Sequence, residues 1–297
     1  MKVLVTGATG FVGRRLCRVV TEAGHEVHAL VRPESIARAR SKLATAALVA
    51  ADLASLDMRD LPDRVDAVVS LAQARRFREF PETAEQVFTV NVRAMLTLLQ
   101  WARGAGVRRF VHVSSGGVYG GTRGTPLRET DRPSADPQGF YLGTKLCAEV
   151  LFQNYRQFFE AAVLIRPFFV YGPEQQKEMF VARLIESVRN GAPVQLQGPD
   201  GLSMNPVFVD DAAAALGRAL GLRGQHLVNV AGPEVVTLRA LCDLIGRCVG
   251  RAPAYVPRAG DAVDYVADIT EMRSKLGPPA VAPEEGIARS LDGTCRP

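Results

Sequence analysis

The chain has 297 residues, 47% of them hydrophobic and 23% charged, with a formal net charge of +5. That length fits one α/β domain, alone or with a smaller companion, and can bury a sizeable core. The longest apolar runs, such as 68–71 and 212–216, are far too short to cross a bilayer, and no dense Lys/Arg run with interleaved aromatics points to nucleic acid.

The first 170 residues alternate short apolar runs with longer amphipathic segments, the pattern of repeated βα units around a parallel sheet. Strands are expected at 2–6, 26–31, 47–50, 65–71, 110–114 and 162–166, and helices near 11–23, 84–104 and 139–159. Two strands are nearly unbroken apolar runs, as in a sheet covered on both faces. Beyond Tyr171-Gly172-Pro173 the rhythm changes. A helix near 177–190, a short strand at 194–196 and a glycine-bearing loop precede a return through 206–209, a helix at 212–220 and a strand at 227–230. Two further helical patterns and many prolines fill 237–297. The expected architecture is a Rossmann-type doubly wound parallel sheet, 1–173 with 205–231, interleaved with a smaller substrate-binding region, 174–204 and 232–297.

The chain opens as a buried strand meeting a glycine turn, with no signal peptide. Cys17, Cys147, Cys242, Cys248 and Cys295 are scattered without a pair motif, which suits reduced thiols in a cytoplasm. Four histidines, His25, His28, His112 and His226, are too few and too dispersed for a His-based metal site. The mildly basic balance suits anionic ligands such as nucleotides. Arg75-Arg76-Phe77-Arg78 reads as a solvated or ligand-side loop.

Thr6-Gly7-Ala8-Thr9-Gly10-Phe11-Val12-Gly13 joins the first strand to the first helix. Glycines at 7, 10 and 13 suit a tight turn, bare backbone N–H groups for a pyrophosphate, and a helix N-terminus facing its charge. The motif therefore predicts a dinucleotide cofactor, NAD or NADP. An acid at the end of the second strand would bind the ribose 2′-OH, whereas an arginine accommodates a 2′-phosphate. Here the strand ends Leu30-Val31-Arg32-Pro33, and Arg32 favours NADP unless it is simply solvated. Asp52 and Leu53 are placed to approach the adenine, and Leu71, Ala72 and Gln73 to lie along the cofactor.

The fifth strand runs into Ser114-Ser115-Gly116-Gly117-Val118-Tyr119-Gly120, and Tyr141-Leu142-Gly143-Thr144-Lys145 follows. A Tyr and a Lys four apart share one helix face. An ammonium beside a phenol favours its phenolate, so Tyr141 would exchange a proton with a substrate alcohol or carbonyl. Lys145 would also hold the nicotinamide ribose, and the Ser115 hydroxyl would orient the substrate oxygen. A surface pair without chemistry is the alternative. The glycine loop and the serine-rich strand end argue against it by pointing to one site.

With these pieces in place the sequence resembles an extended short-chain dehydrogenase/reductase of the NAD-dependent epimerase/dehydratase group, over nearly the whole chain. Matching segments are Thr6–Gly13, Asp52-Leu53, Asn91-Val92, Ser114–Gly120, Tyr141–Lys145, Arg166-Pro167-Phe168-Phe169-Val170-Tyr171-Gly172-Pro173 and Val209-Asp210-Asp211. The resemblance implies Ser115, Tyr141 and Lys145 as catalytic residues, a homodimer, and a small-molecule substrate of nucleoside-diphosphate-sugar type. It sets Asn91, Ser114 and Pro167 with Tyr141 and Lys145 along the cofactor, and Gly116, Asn205 and Arg258 with Ser115 and Tyr141 at the substrate. No Asp-Glu pair follows the catalytic hydroxyl residue, where Gly116-Gly117 stands, so water elimination lacks its acid and base. Ser203-Met204-Asn205-Pro206-Val207-Phe208 also departs from the pattern, which commonly has an Arg and a His there. A 4-epimerase leads. A 4-ketoreductase using NADPH and a reductase or dehydrogenase of a non-sugar ketone or alcohol stay open. A non-catalytic nucleotide sensor is disfavoured by the Tyr–Lys pair.

Overall fold

The computed structural model describes residues 1–122, 124–136 and 138–292. Cys295 lies outside the described residues, and the other four cysteines are free thiols. In chain order the first half folds as β1 (Lys2–Thr6), α1 (Phe11–Glu22), β2 (Glu26–Val31), α2 (Ile36–Lys42), β3 (Ala47–Ala50), β4 (Ala67–Ser70), α3 (Ala84–Phe88), α4 (Ala94–Gly104), β5 (Arg109–Val113), α5 (Phe140–Tyr155) and β6 (Ala161–Pro167). Next come α6 (Phe180–Asn190), β7 (Val194–Gln197), β8 (Ser203–Met204), α7 (Val209–Ala219), β9 (Gly224–Val230), β10 (Val236–Thr237), α8 (Leu238–Val249), β11 (Tyr255–Arg258), α9 (Thr270–Leu276) and α10 (Pro283–Asp292).

Seven strands form the central sheet in the order β3-β2-β1-β4-β5-β6-β9. The pairs β1–β2, β2–β3, β1–β4, β4–β5 and β5–β6 are all parallel, which makes this the expected doubly wound sheet. Val3, Leu4 and Val5 of β1 and Ala67, Val68 and Val69 of β4 are wholly buried, as central strands covered on both faces must be. Phe110 of β5 anchors a core cluster with Leu98, Leu99 and Trp101 of α4. Its ring lies 5.7 Å from that of Phe152 on α5 and 5.3 Å from that of Phe159.

The chain divides into two units. The first comprises Met1–Gly120, Pro133–Arg166 and Ala213–Val228, and the second Gly121–Arg132, Pro167–Ala212 and Asn229–Pro297. Within the second, β7 pairs with β11 in parallel and β8 with β10 antiparallel. The Tyr171 and Phe208 rings meet edge to face at 5.6 Å.

The expected helices are redrawn in three places. The long helix over 84–104 contains a π turn, Thr89–Arg93, between α3 and α4, where the Asn91 side chain turns to bonds outside the helix. The helix over 139–159 ends at Tyr155 and finishes in one tight turn, Arg156–Phe158. Among the described residues the last segment holds three helices rather than two, because Gly277-Pro278-Pro279 separates α9 from α10. No described helix is long and apolar enough to cross a membrane.

Candidate active site

The sheet order reverses between β1 and β4, and an open α/β sheet binds its ligand in the crevice at such a point. The glycine loop leaves β1 there. Gly7 has φ +70°, and a Cβ on it would stand 3.0 Å from the Ala72 backbone beyond β4. A Cβ on Gly13 would come within 2.1 Å of the Gly7 carbonyl oxygen. Thr6 closes the gap from the other side, its Oγ1 accepting the N–H groups of Leu71 and Ala72 at 3.1 Å each. Gly10 caps α1 without a side-chain hydrogen bond, and the first turn carries no acid. The helix therefore keeps its first N–H groups and positive dipole end for an anion, which is what a dinucleotide pyrophosphate requires. Thr9 and Gly10 are exposed on this turn, and Phe11 and Val12 are half-buried at its entry to α1.

Arg32 follows β2 and pairs with Glu34, Nη1 to Oε1 at 3.0 Å, both side chains largely exposed. Asp52 follows β3, and its Oδ1 accepts the Ala54 N–H at 3.0 Å. Leu53 packs partly against the core cluster.

On α5, Tyr141 and Lys145 stack one turn apart, with the ammonium 6.0 Å from the phenol ring centroid. Lys145 is buried and donates to the Val113 carbonyl at the end of β5, 3.0 Å away. Burial lowers its pKa to about 8, opposed by the charge of Glu149 one turn further on. Burial also pushes the Tyr141 hydroxyl above the usual phenol range, and the charge opposing that shift comes from Arg78. The Lys145 ammonium, expected from its spacing to favour the phenolate, is not what sets this pKa; desolvation dominates. The Tyr141 hydroxyl donates to Gln73 Oε1 at 2.6 Å. Ser115 begins a tight turn, Gly116–Tyr119, by accepting the Gly117 N–H on its Oγ at 3.2 Å. The Oγ of Ser114 is buried with no partner among the described residues, an acceptor and donor left for a ligand.

Asn91 does not present a free end. Its Oδ1 accepts the Ala74 N–H and its Nδ2 donates to Thr144 Oγ1, each at 3.0 Å, while that hydroxyl donates to the Tyr141 carbonyl at 2.7 Å. Beneath, Arg166 on β6 grips Glu149 through two bonds of 3.0 and 2.6 Å and lies 4.5 Å over the Tyr119 ring. Sequence reasoning passed over Thr6, Thr144 and Glu149 as site residues. Glu149 alone had a signal, since it extends the four-residue spacing of Tyr141 and Lys145 by one more step.

The remaining expected residues belong to the second unit. Pro167 ends β6 and is half-buried. Asn205 is buried and bonded at both ends to the Ala267 backbone, 2.9 Å each way. Arg258 ends β11, exposed. No cluster of His, Cys, Asp and Glu able to hold a metal occurs among the described residues.

Residues 3–231 match the family model for the NAD dependent epimerase/dehydratase family. The chain belongs to this family. It is 33% identical over 98% of both chains to UDP-glucose 4-epimerase of Mycolicibacterium smegmatis. It is also 30% identical to dTDP-4-dehydro-6-deoxy-D-allose reductase of a Streptomyces species, over 84% of this chain and 81% of that one. The structure of Thermus thermophilus UDP-glucose 4-epimerase, solved as a complex with NAD, superposes with a TM-score of 0.81 at 28% identity, covering 99% and 98% of the two chains.

Proposed function

We propose that this chain is a nucleoside-diphosphate-sugar 4-epimerase with a UDP-hexose-type substrate and a retained NAD. One observation carries the reading. Ser115 lies just past the end of β5, Lys145 reaches the last carbonyl of that strand from α5 with Tyr141 one turn before it, the glycine loop is shaped for a dinucleotide, and the 33%-identical relative of full length is a UDP-glucose 4-epimerase. Residues 174–204 and 232–297 are assigned to substrate recognition.

When bound, NAD supplies the acceptor, and then the donor, of the hydride. Tyr141 removes the proton of the C4 hydroxyl during oxidation and returns a proton to the ketone oxygen after the sugar presents its other face. Ser115 hydrogen-bonds that oxygen. Lys145, held by the Val113 carbonyl, fixes the ribose side of the site. The glycine loop and the N-terminus of α1 receive the pyrophosphate.

A second reading, an NADPH-dependent 4-ketoreductase, draws on Arg32 and on the reductase relative. The Arg32–Glu34 pair weakens that argument, since Glu34 sets a carboxylate beside the position a 2′-phosphate would take. Chromatography of the dinucleotide released by denaturing the purified protein separates the two. Stoichiometric NAD is expected. An empty protein that binds NADPH more tightly than NADH would replace the epimerase with the ketoreductase.

A further inference from the structure

The segment after β4 is fastened on both sides of Gln73. Upstream, the N–H groups of Leu71 and Ala72 end on Thr6 Oγ1. Downstream, the Ala74 N–H ends on Asn91 Oδ1, and Asn91 continues through Thr144 to the backbone carbonyl of Tyr141 itself. The circuit closes at the Gln73 amide oxygen, which accepts the Tyr141 hydroxyl at 2.6 Å. The same segment lays Phe77 against the Tyr141 ring, centroids 4.5 Å apart, and stacks Phe80 on Phe140 at 5.0 Å. A glutamine free to wander would not be anchored within one residue on each side, so this contact is a designed feature of the loop.

We propose that Gln73 is a positioning residue for Tyr141, its amide oxygen fixing the phenol hydroxyl between turnovers and setting how readily Tyr141 reaches the phenolate that takes the C4 proton. The inference rests on Tyr141 as the proton-transfer residue. An uncharged acceptor stabilises the phenol over the phenolate, because only the phenol has a proton to give it. The charged and titratable groups facing Tyr141 are Arg78 from the same loop and Lys145 on its own helix; Glu149 in turn acts on Lys145, and the Lys145 charge acts on the buried His112. None of these contributes the 2.6 Å contact, which belongs to Gln73 alone among the described residues.

The test compares Gln73→Leu and Gln73→Glu in the NAD-loaded protein. Leucine removes the acceptor, so the limb of kcat/KM that rises with Tyr141 deprotonation moves to lower pH by roughly 0.5–1 unit, the size one hydrogen bond confers. Glutamate keeps the shape and adds negative charge, so the same limb moves to higher pH. Opposite signs from two near-isosteric changes are not produced by a general loosening of the loop. As a readout independent of turnover, the carbon-13 resonance of the Tyr141 ring carbon bearing the hydroxyl, assigned by its loss in Tyr141→Phe, shifts in Gln73→Leu at neutral pH. An unmoved resonance, or limbs that stay put or move together, overturns the role of Gln73. Full activity in Tyr141→Phe would instead remove the catalytic reading, with the resonance still reporting on Gln73.

Discussion

Lys145 and His112 lie within electrostatic reach of each other in the buried floor of the site and settle their charge in opposite ways. Lys145 keeps a carbonyl partner, and the nearby Glu149 opposes the effect of its burial. His112 has no hydrogen-bond partner for either ring nitrogen among the described residues. Burial first, and the Lys145 charge second, drive its pKa from 6.5 to about 3, with the Ser70 backbone opposing weakly. The sign follows by linkage. Between those two values the unfolded chain binds a proton that the folded one refuses, so proton linkage at His112 leaves stability at pH 7 nearly untouched and destabilises the fold as pH falls below 6.5. By about pH 4 the loss from this one group approaches about 3 kcal/mol. Urea midpoints should therefore fall less between neutral and acid pH in His112→Leu than in the parent. An unchanged difference would place the acid sensitivity elsewhere. Among single residues, Tyr141 and Lys145 were legible because helix periodicity projects them together. The grip of Gln73 on Tyr141 was not, since 68 positions separate them and no local period links them.

At the scale of elements, β1 and β2 fell where the apolar runs placed them, because a strand covered on both faces writes its burial directly into sequence, and the short edge strand β3 fell on its apolar run as well. The helices were harder. The π turn at Thr89–Arg93 leaves the apolar spacing almost undisturbed while serving the Asn91 bonds, so pattern alone merged α3 and α4. The β1–α1 connection is the element on which cofactor binding depends most. In Gly13→Ala the new methyl would meet the Gly7 carbonyl at 2.1 Å and the Ala8 Cα at 2.9 Å, both backbone atoms that no side-chain rotation can clear. The loop backbone must shift, with overpacking strain on the order of 1–3 kcal/mol. Dinucleotide affinity should weaken at least about tenfold by calorimetric titration, since a loss of about 1.4 kcal/mol suffices. Gly104→Ala, where nothing lies within 4 Å, should bind as the parent does. Equal affinity in Gly13→Ala and the parent would mean that the loop does not hold the pyrophosphate.

At the scale of the whole molecule, the doubly wound order and the family were both legible, because the glycine loop, the Tyr–Lys spacing and the strand rhythm agree with one another. The substrate was less so. Its recognition was expected from segments that depart from the family pattern, and there Asn205 spends its amide on Ala267 rather than offering it to a ligand. The central claim is a reversible oxidation at C4 in which one retained dinucleotide gives back the hydride it took. UDP-glucose carrying deuterium at C4 tests it most directly, with purified protein, no added cofactor and the product followed by NMR. The expected product is the C4 epimer with deuterium still on C4. Loss of the label to solvent, or no epimer from UDP-glucose, would contradict oxidation at C4 by a retained dinucleotide.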